Sequence, residues 1–467
     1  MTSLLSQACT SGPETCDAER QTTEYRKTER IEGLRRDSSP GPPLKDHSEI
    51  PKSELSIRQS ILHIVCDSRP LDCTWLRSLT SRQWRRLLSW LDLSGLALYF
   101  FDRIAKSQCA SDLPDEVFSS LERRLNENAQ RTQSMIAESI AIQREFQRAG
   151  LCYAVVKGLS LWPNSVPSPE LRLQFDLDYL LADEDMHEAQ NLLMRLGYRP
   201  RVSSESCWKF VRNERPCLTL KDVYKDTRSW AVELHEVPDG SAQTSPFIGM
   251  QWREIFGLSM PTLSPVDVFL RQGLHAYKDV CSQFVRVALL VEFYRHVLFY
   301  RNNAAFWTAL RREANENSRA VLALGLVTLL TTQVIGEFAP EALTHWTVDC
   351  LPRPARLWVT KYGERAVLGS FPGSKLYRLL TKELETEKIH ADLIFPQPPA
   401  ASCAATPLKL SRPKETLHVR LTRFVRLIPY RMQLDLIPSR LRFYGVEGLR
   451  LAWEAHRWRR VLRQASR

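Results

Sequence analysis

The stretch 171–181, LRLQFDLDYLL, sets Asp176 and Asp178 two positions apart inside a run that is otherwise apolar at Leu171, Leu173, Phe175, Leu177, Leu180 and Leu181. A short apolar run of this kind reads as a strand. In a strand, residues i and i+2 share a face. The two carboxylates therefore stand side by side, while Leu177 and Tyr179 point the other way. Two arrangements satisfy that constraint. One is an edge or half-exposed strand with a polar face. The other is a metal site, because adjacent carboxylates repel each other and a cation between them relieves the repulsion.

The hydrophobic period along the chain places this strand in a small α+β unit between helical regions. Residues 1–50 are rich in Ser, Thr, Pro, Glu and Arg, show no apolar periodicity, and read as a disordered tail. Residues 51–150 read as a helical N-terminal region. Trp84, Leu87, Leu88 and Leu91 recur at helical spacing, a break or kink is expected at Ser94-Gly95, and a long helical run opens at Pro114 and ends at Gly150. The period then changes. Cys152–Val156 and Phe175–Leu181 read as strands, Asp183–Leu196 as a helix stopped by Gly197, and Tyr198–Val202, Cys207–Val211, Leu218–Val223 and Trp230–Val237 as further strands. This core spans 151–245. After Pro246 a return to helix is expected, in a helical domain over 246–394 that contains Ser264–Tyr277, Phe284–Tyr300, Phe306–Ala314 and Arg319–Ile335. A proline-rich linker, 395–410, leads to a basic helical segment, 411–467.

Charge is concentrated at that end. The chain of 467 residues carries a formal net charge of +11, and residues 411–467 hold fourteen Lys/Arg against four Asp/Glu, a net of +10. Arg420, Arg423, Arg426, Arg457, Arg459, Arg460 and Arg463 alternate with Phe424, Tyr430, Phe443, Trp453 and Trp458. Such a segment suits contact with an anionic membrane or a phosphate backbone. It suits a solvated helical face equally well. No apolar run reaches the ~18–20 residues of a membrane span, and the N-terminus lacks the pattern of a signal peptide, so a cytoplasmic location is expected. The eleven cysteines form no CxxC pair, which argues against a zinc site or a disulfide framework.

A metal bound by the two aspartates calls for a third acid. Glu233 in AVELHEV lies between Val232 and Leu234, again a carboxylate in an apolar strand, and His235 falls on its face. Asp222 and Asp226 are rivals for that place. Asp183, Glu184 and Asp185 stand where a helix begins, and opposing the helix dipole is role enough for them. Magnesium takes carboxylate oxygens together with phosphates and water, and two such ions clamp both oxygens of a phosphoryl displacement. Phosphate also calls for donors. Lys157-Gly158 follows the first strand and opens a short helix, where the glycine allows close backbone approach and the helix start favours negative charge. Ser160 adds a hydroxyl. Arg172 either reaches a phosphate or pairs with Asp176. His235 either orients Glu233, contacts substrate or is structural. His275 reads as a packing residue and His187 as solvent-facing.

The stretches VVKG (155–158), RLQFDLDYLL (172–181), RLGY (195–198) and VELH (232–235), with LHA (274–276) downstream, resemble the bacterial "uncharacterised nucleotidyltransferase" family of the polymerase-beta-like nucleotidyltransferase superfamily. The likeness covers about residues 120–300. In this chain Leu159 stands where the superfamily carries serine after the glycine, and eighteen positions separate Gly158 from Asp176. The resemblance implies a small mixed sheet with helices on one side, and magnesium-dependent transfer of a nucleoside monophosphate from an NTP to an unidentified acceptor. It implies that Asp176, Asp178 and Glu233 are catalytic and bind the metal, as two Mg2+ ions. It also implies that Lys157, Gly158, Ser160 and Arg172 bind the nucleotide. An inactive member that binds a nucleotide or a partner is the alternative it leaves.

Overall fold

The computed structural model describes residues 53–66, 73–201, 207–212, 220–226, 230–237, 247–255, 257–315, 318–386 and 430–465. The expected disordered tail (1–50), the proline-rich linker (395–410) and the start of the basic segment (411–429) lie outside the described residues.

Four helices precede the sheet: α1 (Glu54–Cys66), α2 (Ser81–Ser94), α3 (Ala97–Ala105) and α4 (Asp115–Arg148). Their ends follow from local chemistry. Thr80 and Gln83 close a capping box at the start of α2. Gly95, at φ +78°, ends α2 in the left-handed conformation, so the expected break falls where Ser94-Gly95 places it. Pro114 precedes α4, whose first turn carries Asp115 and Glu116.

The sheet has seven strands in the order β3-β4-β5-β2-β1-β7-β6. They are β1 (Tyr153–Val156), β2 (Asp176–Leu181), β3 (Arg199–Pro200), β4 (Cys207–Val211), β5 (Ala231–Glu236), β6 (Gln251–Ile255) and β7 (Leu258–Thr262), with helix α5 (Asp183–Arg195) after β2. The sheet is mixed. β2 runs parallel to β5, and β1 runs parallel to β7, while the β1–β2, β3–β4, β4–β5 and β6–β7 pairs are antiparallel.

One face of the sheet packs on α4 and α5. Leu177, Tyr179 and Leu181 of β2 join Val155, Val232 and Leu234, and against them lie Met135, Ile142 and Phe146 of α4 with Met186, Leu192 and Leu193 of α5. Phe146 meets Tyr153 and Tyr179 edge-on at 5.3 and 5.5 Å, and its enclosure contributes roughly 1.5–3 kcal/mol. The alternation then sends Asp176, Asp178 and Leu180 to the opposite face, where Ala154, Val156, Leu180 and Leu263 form a small apolar patch.

Two stretches depart from the period-based expectation. Of the strand expected over 218–223, the part within the described residues is a 3-10 turn, Leu220–Tyr224. Val223 and Tyr224 are buried in the helical core rather than in the sheet, and the Tyr224 hydroxyl donates to Asp92 Oδ1 on α2 at 2.8 Å. The return to helix after Pro246 is delayed by the β6–β7 hairpin, which turns at Gly257 (φ +75°). Pro261 in β7 and the exposed Trp252 in β6 hide this hairpin from a composition-based reading.

Beyond the sheet come α6 (Pro265–Val280), α7 (Val287–Tyr300), α8 (Ala304–Asn315), α9 (Ser318–Ile335), α10 (Glu341–Thr347), α11 (Arg353–Trp358), a π turn (Val359–Gly363), α12 (Glu364–Val367), α13 (Tyr377–Thr386) and α14 (Tyr430–Ala465). Ser264 caps α6 by accepting the Asp267 N–H, with Pro265 in the first turn. These helices share one core with α1–α3. α14 docks on it through the buried Trp458, whose indole N–H donates to Glu383 at 3.1 Å, while Arg457, Arg459 and Arg460 stay exposed. No described helix is long and apolar enough to cross a membrane.

Candidate functional site

The strand register brings the three acids together. Asp178 lies opposite Glu233 in the β2–β5 ladder and opposite Val156 in the β1–β2 ladder. Asp176, Asp178 and Glu233 each offer a carboxylate oxygen within 4.8 Å of the others. Lys157 follows Val156 directly, so its side chain overhangs the same point. Its Nζ donates to Asp178 Oδ1 at 2.7 Å and stands 4.0 Å from Glu233 Oε2. His235 Nε2 is 2.7 Å from the same Asp178 oxygen and 3.8 Å from Glu233 Oε2. Lys209, which faces Glu233 from β4, donates to Glu233 Oε1 at 2.7 Å.

Electrostatics follow from this crowding. Burial, and then the charges of Asp178 and Glu233, push the Asp176 carboxyl up to about 6. Burial alone would raise Asp178 as well, but the hydrogen bond from His235 and the charge of Lys157 outweigh it and hold Asp178 below the usual carboxylate range. Burial opposes the charge on Lys157, but the neighbouring acids, Asp178 foremost, prevail and raise it. The site therefore holds its excess negative charge around Asp176, while Lys157 pairs with Asp178 and Lys209 with Glu233.

The three oxygen donors suit a hard divalent cation such as magnesium. A second trio, Cys207, Glu233 and His235, also lies within 4.8 Å. Burial and Glu233 push the Cys207 thiol up to about 11, away from the thiolate form that a soft metal requires. The carboxylate set is the better fit.

The turn after β1 is tightly built. Lys157 has φ +54° and is the one non-glycine residue with positive φ among the described residues, a conformation uncommon for a side-chain-bearing residue. Gly158 is buried against Gln174, and a Cβ there would lie 2.2 Å from Gln174 Nε2, which itself donates to the Asp176 carbonyl at 2.6 Å. The Ser160 hydroxyl donates to the Lys157 carbonyl at 2.7 Å, closing the turn. Leu159, in the place of the superfamily's serine, packs into the core beneath the sheet.

Arg172 lines a cavity beside Lys157, and the ion pair expected with Asp176 is made with another acid. Its Nε pairs with Glu292 Oε1 of α7 at 3.0 Å, and Tyr99 Oη donates to that same oxygen at 3.1 Å. That hydrogen bond goes to Glu292 rather than to Asp176, although the Arg172 charge still acts on Asp176. The rivals to Glu233 lie elsewhere. Asp222 pairs with Lys225, and Asp226 accepts from the Ser134 hydroxyl. Asp183, Glu184 and Asp185 form the first turn of α5, and Asp185 accepts the Cys152 N–H at 2.6 Å. His187 is exposed, as expected. His275, expected to pack, is exposed and lines a cavity beside Lys157.

Sequence reasoning did not identify Lys209, Gln174 or Glu292. Lys209 alternates with apolar residues in CWKFV, and only the register of β4 with β5 assigns it to Glu233. Glu292 sits within the apolar helix VALLVEFYRHVLFY and carries no local sign of its partner.

A family profile described as "Uncharacterised nucleotidyltransferase" matches residues 80–336. Among solved structures, the antibiotic-resistance factor ANT(2'')-Ia is 12% identical over 40% of this chain and 95% of its own, with a TM-score of 0.29. An antigenic nucleotidyltransferase-like protein from Paracoccidioides brasiliensis is 14% identical over 46% of this chain and 97% of its own, with a TM-score of 0.26. No curated protein matches the chain.

Proposed function

The chain belongs to the uncharacterised nucleotidyltransferase family, and on that premise we propose that it transfers a nucleoside monophosphate from a magnesium-bound NTP to an acceptor, with Asp176, Asp178 and Glu233 as the metal-holding acids. The observation that carries this reading is the convergence of those three carboxylates on one face of the sheet, with Asp178 in register with Glu233.

Transfer of a nucleotidyl group is mostly a matter of position and charge. Magnesium held by these acids would neutralise the triphosphate and polarise the reacting phosphorus. The protein's own residues do the rest. β2 and β5 fix the acids on rigid strands, so their geometry needs little reorganisation. Lys209 holds one oxygen of Glu233, while the other lies 3.8 Å from His235 Nε2 and 4.0 Å from Lys157 Nζ. Lys157 can exchange Asp178 for a phosphate oxygen, carrying its positive charge onto the nucleotide. The turn Gly158–Leu161 follows Lys157 directly and is buried, which fixes the backbone from which that ammonium reaches the acids.

The Lys157–Asp178 ion pair also supports a second reading, in which the ammonium substitutes for the metal and the protein binds nucleotide or a partner without turnover. One experiment separates the two. Labelled NTPs are incubated with magnesium and a cell extract, using wild type beside Asp176→Asn/Asp178→Asn. Transfer of the alpha label that is lost in the variant supports the enzyme. Aspartate-dependent binding without transfer supports the second reading. Absence of nucleotide binding, with or without magnesium, sinks both.

A further inference from the structure

Helix α14 has an inner and an outer face. The inner one packs on the helical core through Leu451, Ala455, Trp458, Val461 and Leu462. The outer one meets solvent. Val446, Leu449 and Trp453 follow one another at spacings of three and four, which puts them on one stripe of the helix. They are 47%, 77% and 68% exposed. The same spacing carries the stripe on through His456, Arg460 and Arg463, all exposed, with the exposed Arg457 and Arg459 at its edges. The outer face is thus apolar where it begins and cationic where it ends.

Its charge has one sign. Between 444 and 464 the helix holds five arginines and two acids, Glu447 and Glu454. Both acids are engaged on the inner side. Glu447 accepts from the Ser374 hydroxyl at 3.3 Å and pairs with Arg450. Glu454 accepts from the Tyr362 hydroxyl at 2.9 Å, with Arg457 at 3.6 Å. Arg459, Arg460 and Arg463 form no ion pair with a described residue.

We propose that this outer face docks the protein on an anionic lipid bilayer. The helix lies in the plane of the interface, with Leu449 and Trp453 among the acyl chains and Arg459, Arg460 and Arg463 on the headgroup phosphates. Single exposed apolar residues are ordinary, but a contiguous stripe of them marks a contact surface. An anionic interface is complementary to both halves of this one. Its acyl layer takes the leucine, and its boundary suits the apolar body and polar N–H of an indole. Arginine keeps its methylenes in the apolar layer while the guanidinium reaches the headgroups. Nucleic acid would engage the arginines and leave Val446 and Leu449 in water. Docking of this kind needs no membrane-spanning helix, and no described helix is one. The inference is independent of the reaction assigned to the sheet.

The test is co-sedimentation of the full chain with vesicles of phosphatidylcholine, alone or with about one-third phosphatidylserine. Wild type is compared with Leu449→Ser/Trp453→Ser and with Arg459→Gln/Arg460→Gln/Arg463→Gln. The substituted side chains are exposed, and a cooperative melt at the wild-type temperature checks that each variant keeps the fold. Wild type should bind the anionic vesicles about tenfold or more tightly than the neutral ones. The serine pair should weaken anionic-vesicle binding by about tenfold or more. The glutamine triple should cut the preference for anionic lipid to about twofold. Failure of wild type to bind anionic vesicles overturns the proposal. So does binding that the serine pair leaves unchanged, which would be attraction of charge alone. Tighter binding to an RNA or DNA oligonucleotide, kept by the serine pair, would assign the arginines to nucleic acid instead. A wild-type dimer that the serine pair dissolves, without vesicle binding, would assign the face to a second copy.

Discussion

Lys157 and Asp178 form an ion pair of 2.7 Å in which the carboxylate is almost wholly enclosed and the ammonium is about one-third exposed, at 32%. A lysine at the end of β1 thus reaches the charge that β2 and β5 concentrate. The acids repel one another, and the cation between them comes from the protein itself. An ion that took Asp178 Oδ1 would have to compete with this ammonium for the oxygen.

Competition of that kind splits two affinities. With Lys157→Met, magnesium or manganese alone should bind at least as tightly as to wild type, because a competing charge is gone. Nucleotide affinity should fall by about tenfold or more, since a charge-assisted contact has been lost. Calorimetry with the metal alone and then with metal plus NTP reads both. A parallel loss of the two would show that Lys157 organises the acids rather than competing for them.

Glu233 separates function from stability. Its partner Lys209 is 44% exposed, and an ion pair this open is worth only about 0–1 kcal/mol. Glu233→Gln should therefore leave the melting temperature nearly unchanged. Nucleotidyl transfer should drop by roughly 10²–10³, the scale of losing one preorganised electrostatic group. Steady-state transfer of the alpha label beside a thermal melt gives the comparison.

The pH dependence follows from Asp176. Its carboxyl is raised to about 6, so below that pH a proton must leave before a cation binds. Metal affinity should fall by about tenfold per unit as pH drops below 6, and Asp176→Asn should flatten the slope. Without metal, the sign for stability is the reverse. A raised acid favours the fold at pH below its ordinary value, and that contribution is lost as pH rises through about 6. Metal titrations between about pH 5 and 7.5, paired with melts of the metal-free protein, test both signs.

What the sequence reveals of the site is what alternation can carry. Asp176, Asp178 and Glu233 are legible because each is a carboxylate in an apolar strand, and period 2 assigns it a face. The pairing of Asp178 with Glu233 is not legible, since the register of β2 on β5 depends on the whole sheet. The hairpin of β6 and β7 escapes because Pro261 and an exposed Trp252 contradict the usual signature of a strand. The Tyr224 turn escapes for the opposite reason. It is apolar enough for a strand, but its residues bury against helices.

Arg172 shows the same limit most clearly, and it supplies a test of stability. Its partner Glu292 lies 120 residues further along the chain, so nothing near Arg172 in the sequence announces the pair. Both groups are buried, with side-chain exposures of 11% and 1%. Removing the guanidinium leaves a carboxylate enclosed with only the Tyr99 hydroxyl on its engaged oxygen. Arg172→Met should therefore destabilise the fold by about 3–5 kcal/mol, the cost of stranding one member of a buried pair. Glu292→Gln should cost less, because the amide oxygen can still accept from both Arg172 and Tyr99. Urea unfolding of the two variants decides. Equal losses would mean that the charge of the pair, rather than its hydrogen bonds, holds α7 to the segment before β2. A negligible loss for Arg172→Met would return this arginine to the nucleotide as a phosphate ligand.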